Sequence, residues 1–308
     1  MKKVFIDGSA GTTGLRIHER LAVRDDIELI TLSEENRKKT EYRKEAINNA
    51  DIAFLCLPDD AAREAVSFIE NDNTVVIDTS TAHRTDPDWA YGFPELSENH
   101  YKKLLSSKRI AVPGCHASGF IALVYPLIEK NIISPDKLFS CFSLTGYSGG
   151  GKKMIAEYEE EGRDNLLDAP RIYGLTQQHK HLKEMKAVTG INFAPAFLPV
   201  VSDFYSGMAV SIPVFAEEVN MSIHEIRKIY EEKYSWGTVS YKEGFDKEGF
   251  LSAGTLSGKD IMYVGVFGNE ERFTLEAVYD NLGKGASGAA IECLNIVSGK
   301  DPLYGLTK

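Results

Sequence analysis

Residues 3–14 constrain the fold more than any other stretch of the chain. The apolar run Lys3–Asp7 ends in Gly8-Ser9-Ala10-Gly11-Thr12-Thr13-Gly14, and a helical pattern follows from about Thr13 to Val23. A strand that turns through spaced glycines into a helix opens a βαβ unit. Ile27–Leu32, Asp51–Leu57, Thr74–Asp78 and Arg109–Val112 read as further strands, and Ala61–Glu70 as a helix. Such alternation predicts an α/β domain with a parallel, doubly wound sheet. After about residue 130 the pattern changes. Leu138–Leu144, Ala209–Phe215, Tyr263–Phe267 and Phe273–Tyr279 are strand-like, and Ser222-Ile223-His224-Glu225 is a capping box before an apolar helical spacing. A second α+β domain with a mostly antiparallel or mixed sheet is expected. The small-residue helix Ala286–Val297 is expected to return to the first domain, giving boundaries of 1–115 plus 283–308 and 116–282.

Composition narrows the function. A chain of 308 residues has core enough for about two domains, and its formal net charge of −10 argues against a nucleic-acid partner. No apolar run is long enough to span a bilayer, and too few apolar residues precede Asp7 for a secretory signal. Cysteines 56, 115, 141 and 293 have neither metal-ligand nor disulfide spacing, so no metal is expected and a cytoplasmic setting is.

Several segments carry chemistry. Gly8, Ser9, Ala10, Gly11, Thr12, Thr13 and Gly14 form G-x-x-G-x-x-G, a variant dinucleotide turn that sets a pyrophosphate on a helix N-terminus. The second strand ends at Ser33 without the acidic residue of an NAD site, and Arg37 and Lys38 suit a 2′-phosphate, so NADP is favoured; Glu34 and Glu35 weigh against this. Ser80 and Arg84, beyond the strand ending at Asp78, are candidates for an anionic substrate group. Tyr147-Ser148-Gly149-Gly150-Gly151-Lys152 is a second glycine-rich turn able to cradle phosphate, of the cofactor or of the substrate. Asn281 is read as a helix cap or a nicotinamide contact, beside Leu282.

Pro113-Gly114-Cys115-His116 lies between a strand and a helix. A thiol in a first helical turn is favoured as thiolate, a strong nucleophile; the competing reading is a small buried residue. A nucleophilic cysteine needs an acid–base partner, and His179-Lys180-His181 supplies two imidazoles, which share a face in a strand and diverge in a helix. His116 is the next choice.

Taken in order, the Gly8–Gly14 turn, Ser80–Arg84 with Tyr91-Gly92-Phe93-Pro94-Glu95-Leu96, Pro113-Gly114-Cys115, Ser148–Lys152, Tyr173-Gly174-Leu175, His179–Met185 and Asn281–Gly288 resemble the short form of the N-acetyl-gamma-glutamyl-phosphate reductase family. Two residues depart from it: His116 stands where the family often has tyrosine, and Lys183 where proline is usual. The resemblance implies a Rossmann-like dinucleotide-binding domain and a catalytic and dimerisation domain. It also implies NADPH-dependent reduction of N-acetyl-glutamyl 5-phosphate to the semialdehyde with release of phosphate, in arginine biosynthesis, by a homodimer or homotetramer. Cys115 would form the thioester, and His181, with His179 as substitute, would handle protons. Ser148, Gly149 and Gly150 would then serve the cofactor, and Gly151 and Lys152 the acyl phosphate. Aspartate-semialdehyde dehydrogenase resembles the same architecture and is the nearest rival. A non-catalytic dinucleotide sensor is the rival of another class.

Overall fold

The computed structural model describes residues 1–219 and 221–308, and the chain divides into two compact units. The first comprises Met1–Pro94, Glu98–Pro113 and Ala289–Gly305. Its elements are β1 (Lys2–Asp7), α1 (Thr12–Ala22), β2 (Ile27–Ile30), α2 (Thr40–Asn49), β3 (Ile52–Leu55), α3 (Asp59–Ser67), β4 (Val75–Asp78), β5 (Ala90–Tyr91), α4 (Glu98–Ser106) and β6 (Arg109–Ala111). The strands form one parallel sheet in the order β2-β1-β3-β4-β6-β5, the doubly wound arrangement. Short apolar strands suit it, because both faces are covered. Phe5, Leu55 and Val76 pack on one face with Ile47 and Ala46 of α2 and Ala62 and Ala65 of α3. Helix α2 is absent from the sequence reading because Thr40–Asn49 is almost wholly polar, with only Arg43, Ala46 and Ile47 buried.

The second unit comprises Glu95–Ser97, Gly114–Gly288 and Leu306–Lys308. Cys115 and residues 283–288 therefore group with the second unit, not with the first as the sequence boundaries had them. The unit holds α5 (Cys115–Glu129), β7 (Ser140–Gly146), α6 (Gly151–Glu159), β8 (Arg171–Ile172), α7 (His181–Thr189), β9 (Ala196–Ser202), β10 (Met208–Phe215), α8 (Ile223–Lys233), β11 (Val239–Tyr241), β12 (Met262–Gly268) and β13 (Arg272–Tyr279). The mixed sheet runs β11-β12-β13-β10-β7-β9-β8. Ser222 caps α8 through the expected capping box. Strand β9 escapes a sequence reading because Pro199 lies inside it; the structure tolerates this because its outer neighbour β8 pairs only at Val200 and Val201. A π-helical turn, Gly283–Ser287, leads into α9 (Gly288–Val297), most of which belongs to the first unit.

Helix α5 is the centre of the second unit. It is buried from His116 to Val124, which is why its sequence lacks a polar face, and it packs on β10 and β13. The approach is close. A Cβ on Gly119 would lie 2.6 Å from Val210 Cγ2 and 2.7 Å from Tyr279 Oη, so a larger residue would push the helix off the sheet.

One buried ion pair anchors the π-helical turn. Lys284 Nζ donates to both carboxylate oxygens of Glu95 at 2.9 Å, and Thr238 donates to Glu95 from its amide and hydroxyl. Burial disfavours the Glu95 carboxylate, but Lys284 and Thr238 outweigh it and hold the group below the usual carboxylate range. Lys284→Met strands that charge and is expected to lower the unfolding free energy by about 3–5 kcal/mol in urea titration. The double variant with Glu95→Gln should recover part of the loss; a double variant less stable than Lys284→Met would contradict the pairing.

Candidate active site

Within the first unit the glycine turn is built as a phosphate-binding loop is. Gly8 has φ of +87°, and a Cβ there would stand 2.3 Å from the Cys56 carbonyl oxygen; one on Gly14 would stand 2.4 Å from the Gly8 oxygen. Gly11 caps α1 with no side-chain hydrogen bond, so first-turn amides are left for an anion. A cavity of about 450 Å³ adjoins the turn, lined by Asp7–Ser9, His18, Leu29–Leu32, Arg37, Lys38 and Arg43, among others. Arg43 pairs with Asp7 and Glu64 and keeps a buried guanidinium nitrogen without a hydrogen-bond partner. These residues fit a dinucleotide phosphate and its adenosine end. Arg43 was invisible to sequence reasoning, because nothing in a polar helix marks which cation turns inward.

Two expectations for this unit need correction. Ser33 is not among the cavity-lining residues; its carbonyl accepts from the amides of Asn36 and Arg37 and closes a turn. Arg37 lines the cavity but is ion-paired to Glu34, as the neighbouring acids had threatened. Arg84 and Ser80, read as anion ligands, hold their own loop. The Arg84 guanidinium donates to the carbonyls of Val112 at 2.8 Å and Thr79 at 2.9 Å, and Ser80 Oγ donates to Asp78 at 2.7 Å. His83 donates to the same carboxylate and stacks on Trp89 at 4.0 Å. A buried guanidinium is cheapest where carbonyls already surround it, which is the use made of Arg84 here.

Within the second unit the candidate catalytic residues converge. Cys115 opens α5 and is partly exposed, whereas Cys141 and Cys293 are buried. Burial also pushes the Cys56 thiol up to about 12 and that of Cys141 higher still, which leaves neither as a nucleophile at neutral pH. The Tyr279 hydroxyl accepts from the Gly119 amide at 3.0 Å and donates to the Cys115 carbonyl, bridging the two groups that ordinarily close a first helical turn. The Gly114 amide donates to Glu184 Oε1 at 2.8 Å, so a carboxylate from α7 already occupies one of the donors expected to favour the thiolate. Glu184 lies three residues beyond His181 on the same helix, and only that spacing could have drawn attention to it.

The H-x-H pair is neither strand nor helix. His179 precedes α7 and His181 opens it, so the rings meet at 4.7 Å between centroids instead of diverging. His179 Nδ1 accepts the His181 amide at 3.2 Å, which places the proton of its neutral ring on Nε2. His116 completes the cluster, with its ring centroid 5.6 Å from that of His179 and 5.7 Å from that of His181. Phe197 of β9 packs against His116 and His179.

Ser148 and Asn281 also come together. Asn281 Nδ2 donates to Ser148 Oγ at 3.0 Å, while its Oδ1 accepts from the Gly207 amide at 2.9 Å. Leu282 is buried beside it, and Asp280 holds this corner by accepting the Leu282 and Gly283 amides. The Ser148–Gly150 turn is a 3₁₀ segment that leads into α6 at Gly151, not a slack loop, and Lys152 is exposed on that helix.

Burial keeps two of the three imidazoles neutral. It lowers His116 to about 3, helped by the charges of His179 and Lys180, and lowers His179 to about 4, helped by Lys180. Both lie below the ordinary 6.5, so between these values the unfolded chain binds more protons than the folded one. The stabilisation is complete above about 6.5 and is lost as pH falls toward the folded-state values. The unfolding temperature should therefore drop between pH 7 and pH 4.5, and His116→Phe should flatten that drop; a variant profile parallel to the parent's would refute it.

Comparison with known proteins agrees with this geometry. The semialdehyde dehydrogenase dimerisation domain matches residues 115–281, and the semialdehyde dehydrogenase NAD-binding domain matches residues 3–104. N-acetyl-gamma-glutamyl-phosphate reductases of Brucella ovis and Brucella abortus are each 42% identical over 307 residues, covering 97% of this chain and 99% of theirs. Two solved structures share the fold at 17% identity. Aspartate semialdehyde dehydrogenase II of Vibrio cholerae has a TM-score of 0.72, covering 97% of this chain and 98% of its own. The Candida albicans aspartate semialdehyde dehydrogenase with NADP has a TM-score of 0.69, covering 98% and 99%. The chain belongs to the semialdehyde dehydrogenases and, among them, to the N-acetyl-gamma-glutamyl-phosphate reductase family.

Proposed function

We propose that the chain reduces N-acetyl-glutamyl 5-phosphate to N-acetyl-glutamate 5-semialdehyde and phosphate, with NADPH as reductant and a thioester on Cys115 as intermediate. The observation that carries the proposal is a partly exposed thiol opening a buried helix, next in the chain to His116, whose ring clusters with the histidines of an H-x-H segment. The substrate comes from the relatives' name, and the likeness to aspartate semialdehyde dehydrogenases speaks for the fold alone.

The Cys115 sulfur attacks the acyl carbonyl, the bond to the phosphate oxygen breaks, and phosphate leaves with the electron pair. A thioester accepts hydride more readily than a carboxylate, so a thiol is needed before reduction. Bound NADPH supplies that hydride. The resulting thiohemiacetal oxygen holds a proton until the carbon–sulfur bond breaks, releasing aldehyde and thiolate. His181 moves these protons, with His179 as substitute, its Nε2–H placed as a donor. Tyr279 fixes the Cys115 carbonyl, and with it the origin of the sulfur. In the first unit the Gly8–Gly14 turn would hold the pyrophosphate, and Lys38, Arg37 and Arg43 would face the 2′-phosphate.

The second sheet's open face supports a homodimer or homotetramer. Phe142, Leu198 and Phe215 are exposed there, on neighbouring strands whose registered residues share a face. Among the described residues no helix is long and apolar enough to cross a membrane. A nucleophile that must stay reduced suits the cytoplasm, where we place the reaction.

Cys115→Ala should bind NADPH as the parent does, by fluorescence titration, yet show no phosphate-dependent reduction; retained turnover would end the covalent route. The parent should turn over N-acetyl-glutamyl phosphate in preference to aspartyl phosphate, and the reverse order would reassign the substrate. Lys38→Glu should raise KM for NADPH by about tenfold with little change for NADH, the effect of losing one charged contact. Equal effects on both cofactors would remove Lys38 from the 2′-phosphate site.

A further inference from the structure

The side chain of the residue following the nucleophile is tied at both ends. His116 Nδ1 lies 2.7 Å from Ser143 Oγ on β7, and Nε2 lies 2.6 Å from the Tyr173 hydroxyl just beyond β8. The imidazole is 3% exposed. Both ring nitrogens being engaged, and the ring being held neutral by burial, His116 cannot shuttle protons at neutral pH. Its edges meet His179, His181 and Phe197, so its orientation bears on both candidate proton carriers.

Tyr173 is the other end of this chain of contacts. Burial keeps its hydroxyl protonated, and a charge on Cys115 acts in the same direction. Its ring packs edge-on against His179 as well as His116. Its backbone is held too, the Tyr173 amide donating to the Pro199 carbonyl at 3.0 Å.

We propose that His116 is a positioning residue for the reaction, a neutral bridge that accepts the Ser143 hydroxyl proton at Nδ1 and donates its Nε2–H to the Tyr173 oxygen, so that the phenolic proton is left as a hydrogen-bond donor to the substrate oxygen. This rests on the thioester route. Tyr173, with its hydroxyl held by His116 and its backbone amide held by Pro199, loses little further freedom when substrate arrives, which is what a preorganised donor requires. The bridge also explains why a histidine is acceptable directly after the nucleophile: it serves the site through Tyr173, not by reaching the sulfur itself.

The test is a double-mutant cycle with kcat, KM and NADPH binding measured on each protein. His116→Phe keeps an aromatic ring in the cluster and removes both hydrogen bonds; kcat should fall tenfold to a hundredfold, on the scale of ~1 Å of misplacement, with KM for the acyl phosphate and NADPH affinity within about twofold. Tyr173→Phe should fall at least as far. The double variant should be no slower than Tyr173→Phe alone, since His116 acts only through that hydroxyl. His116→Gln, whose amide reaches the Nε2 position, should recover more activity than His116→Asn, whose amide reaches only the Nδ1 position. Losses that multiply in the double variant, or equal activity of the glutamine and asparagine variants, would overturn the proposal. If His116→Phe fails to fold, the cycle of Ser143→Ala with Tyr173→Phe decides by the same criterion. The thioester route is tested separately by rapid alkylation of Cys115: an unreactive thiol in the parent would overturn that route, whereas a reactive one with a multiplicative cycle would overturn only the role of His116.

Discussion

The second unit depends on how closely α5 approaches its sheet. Gly119 admits the Tyr279 ring where any side chain would collide, and the Tyr279 hydroxyl then joins the Gly119 amide to the Cys115 carbonyl. The first turn of the helix is thereby fastened to a central strand, and the thiol is fixed from behind while its front stays accessible. A helix buried over most of its length is held chiefly by apolar contact.

The remaining groups are arranged around that fixed point. Histidines 179 and 181 arrive from the start of α7, Ser143 from β7, Tyr173 from the end of β8 and Glu184 from the body of α7. The Lys284–Glu95 pair anchors the π-helical turn, whose Gly285 lies so close to Cys115 that a Cβ there would be 3.1 Å from the cysteine Cβ. Burial decides protonation at three of the site's groups: His116 and His179 stay neutral, and Tyr279 stays protonated. A transient oxyanion formed beside these groups gains most from oriented donors.

Much of this was legible before the fold was known. The glycine turn, the alternation of short strands with helices, the thiol in a first helical turn and the H-x-H segment each carry a local signature, because turn chemistry and periodicity act over a few residues. Polar helices such as α2 and α7 do not announce themselves, since only tertiary contact decides which of their faces is buried. For the same reason Arg84 was misread. A cation after a strand is equally suited to an anion or to carbonyls, and only the folded loop shows that Val112 and Thr79 were waiting for it.

By itself, then, the sequence determined the class of fold and the kind of cofactor and offered a candidate nucleophile, all of which rest on residues adjacent in the chain. The tertiary structure alone decided that His116 bridges Ser143 and Tyr173, that the two later histidines converge, that Glu184 meets Gly114, and that Arg43 lines the cavity beside the glycine turn. The hydrogen bonds of His116 and Glu184 join residues 27 to 70 positions apart, and their strength comes from burial, which no local pattern encodes.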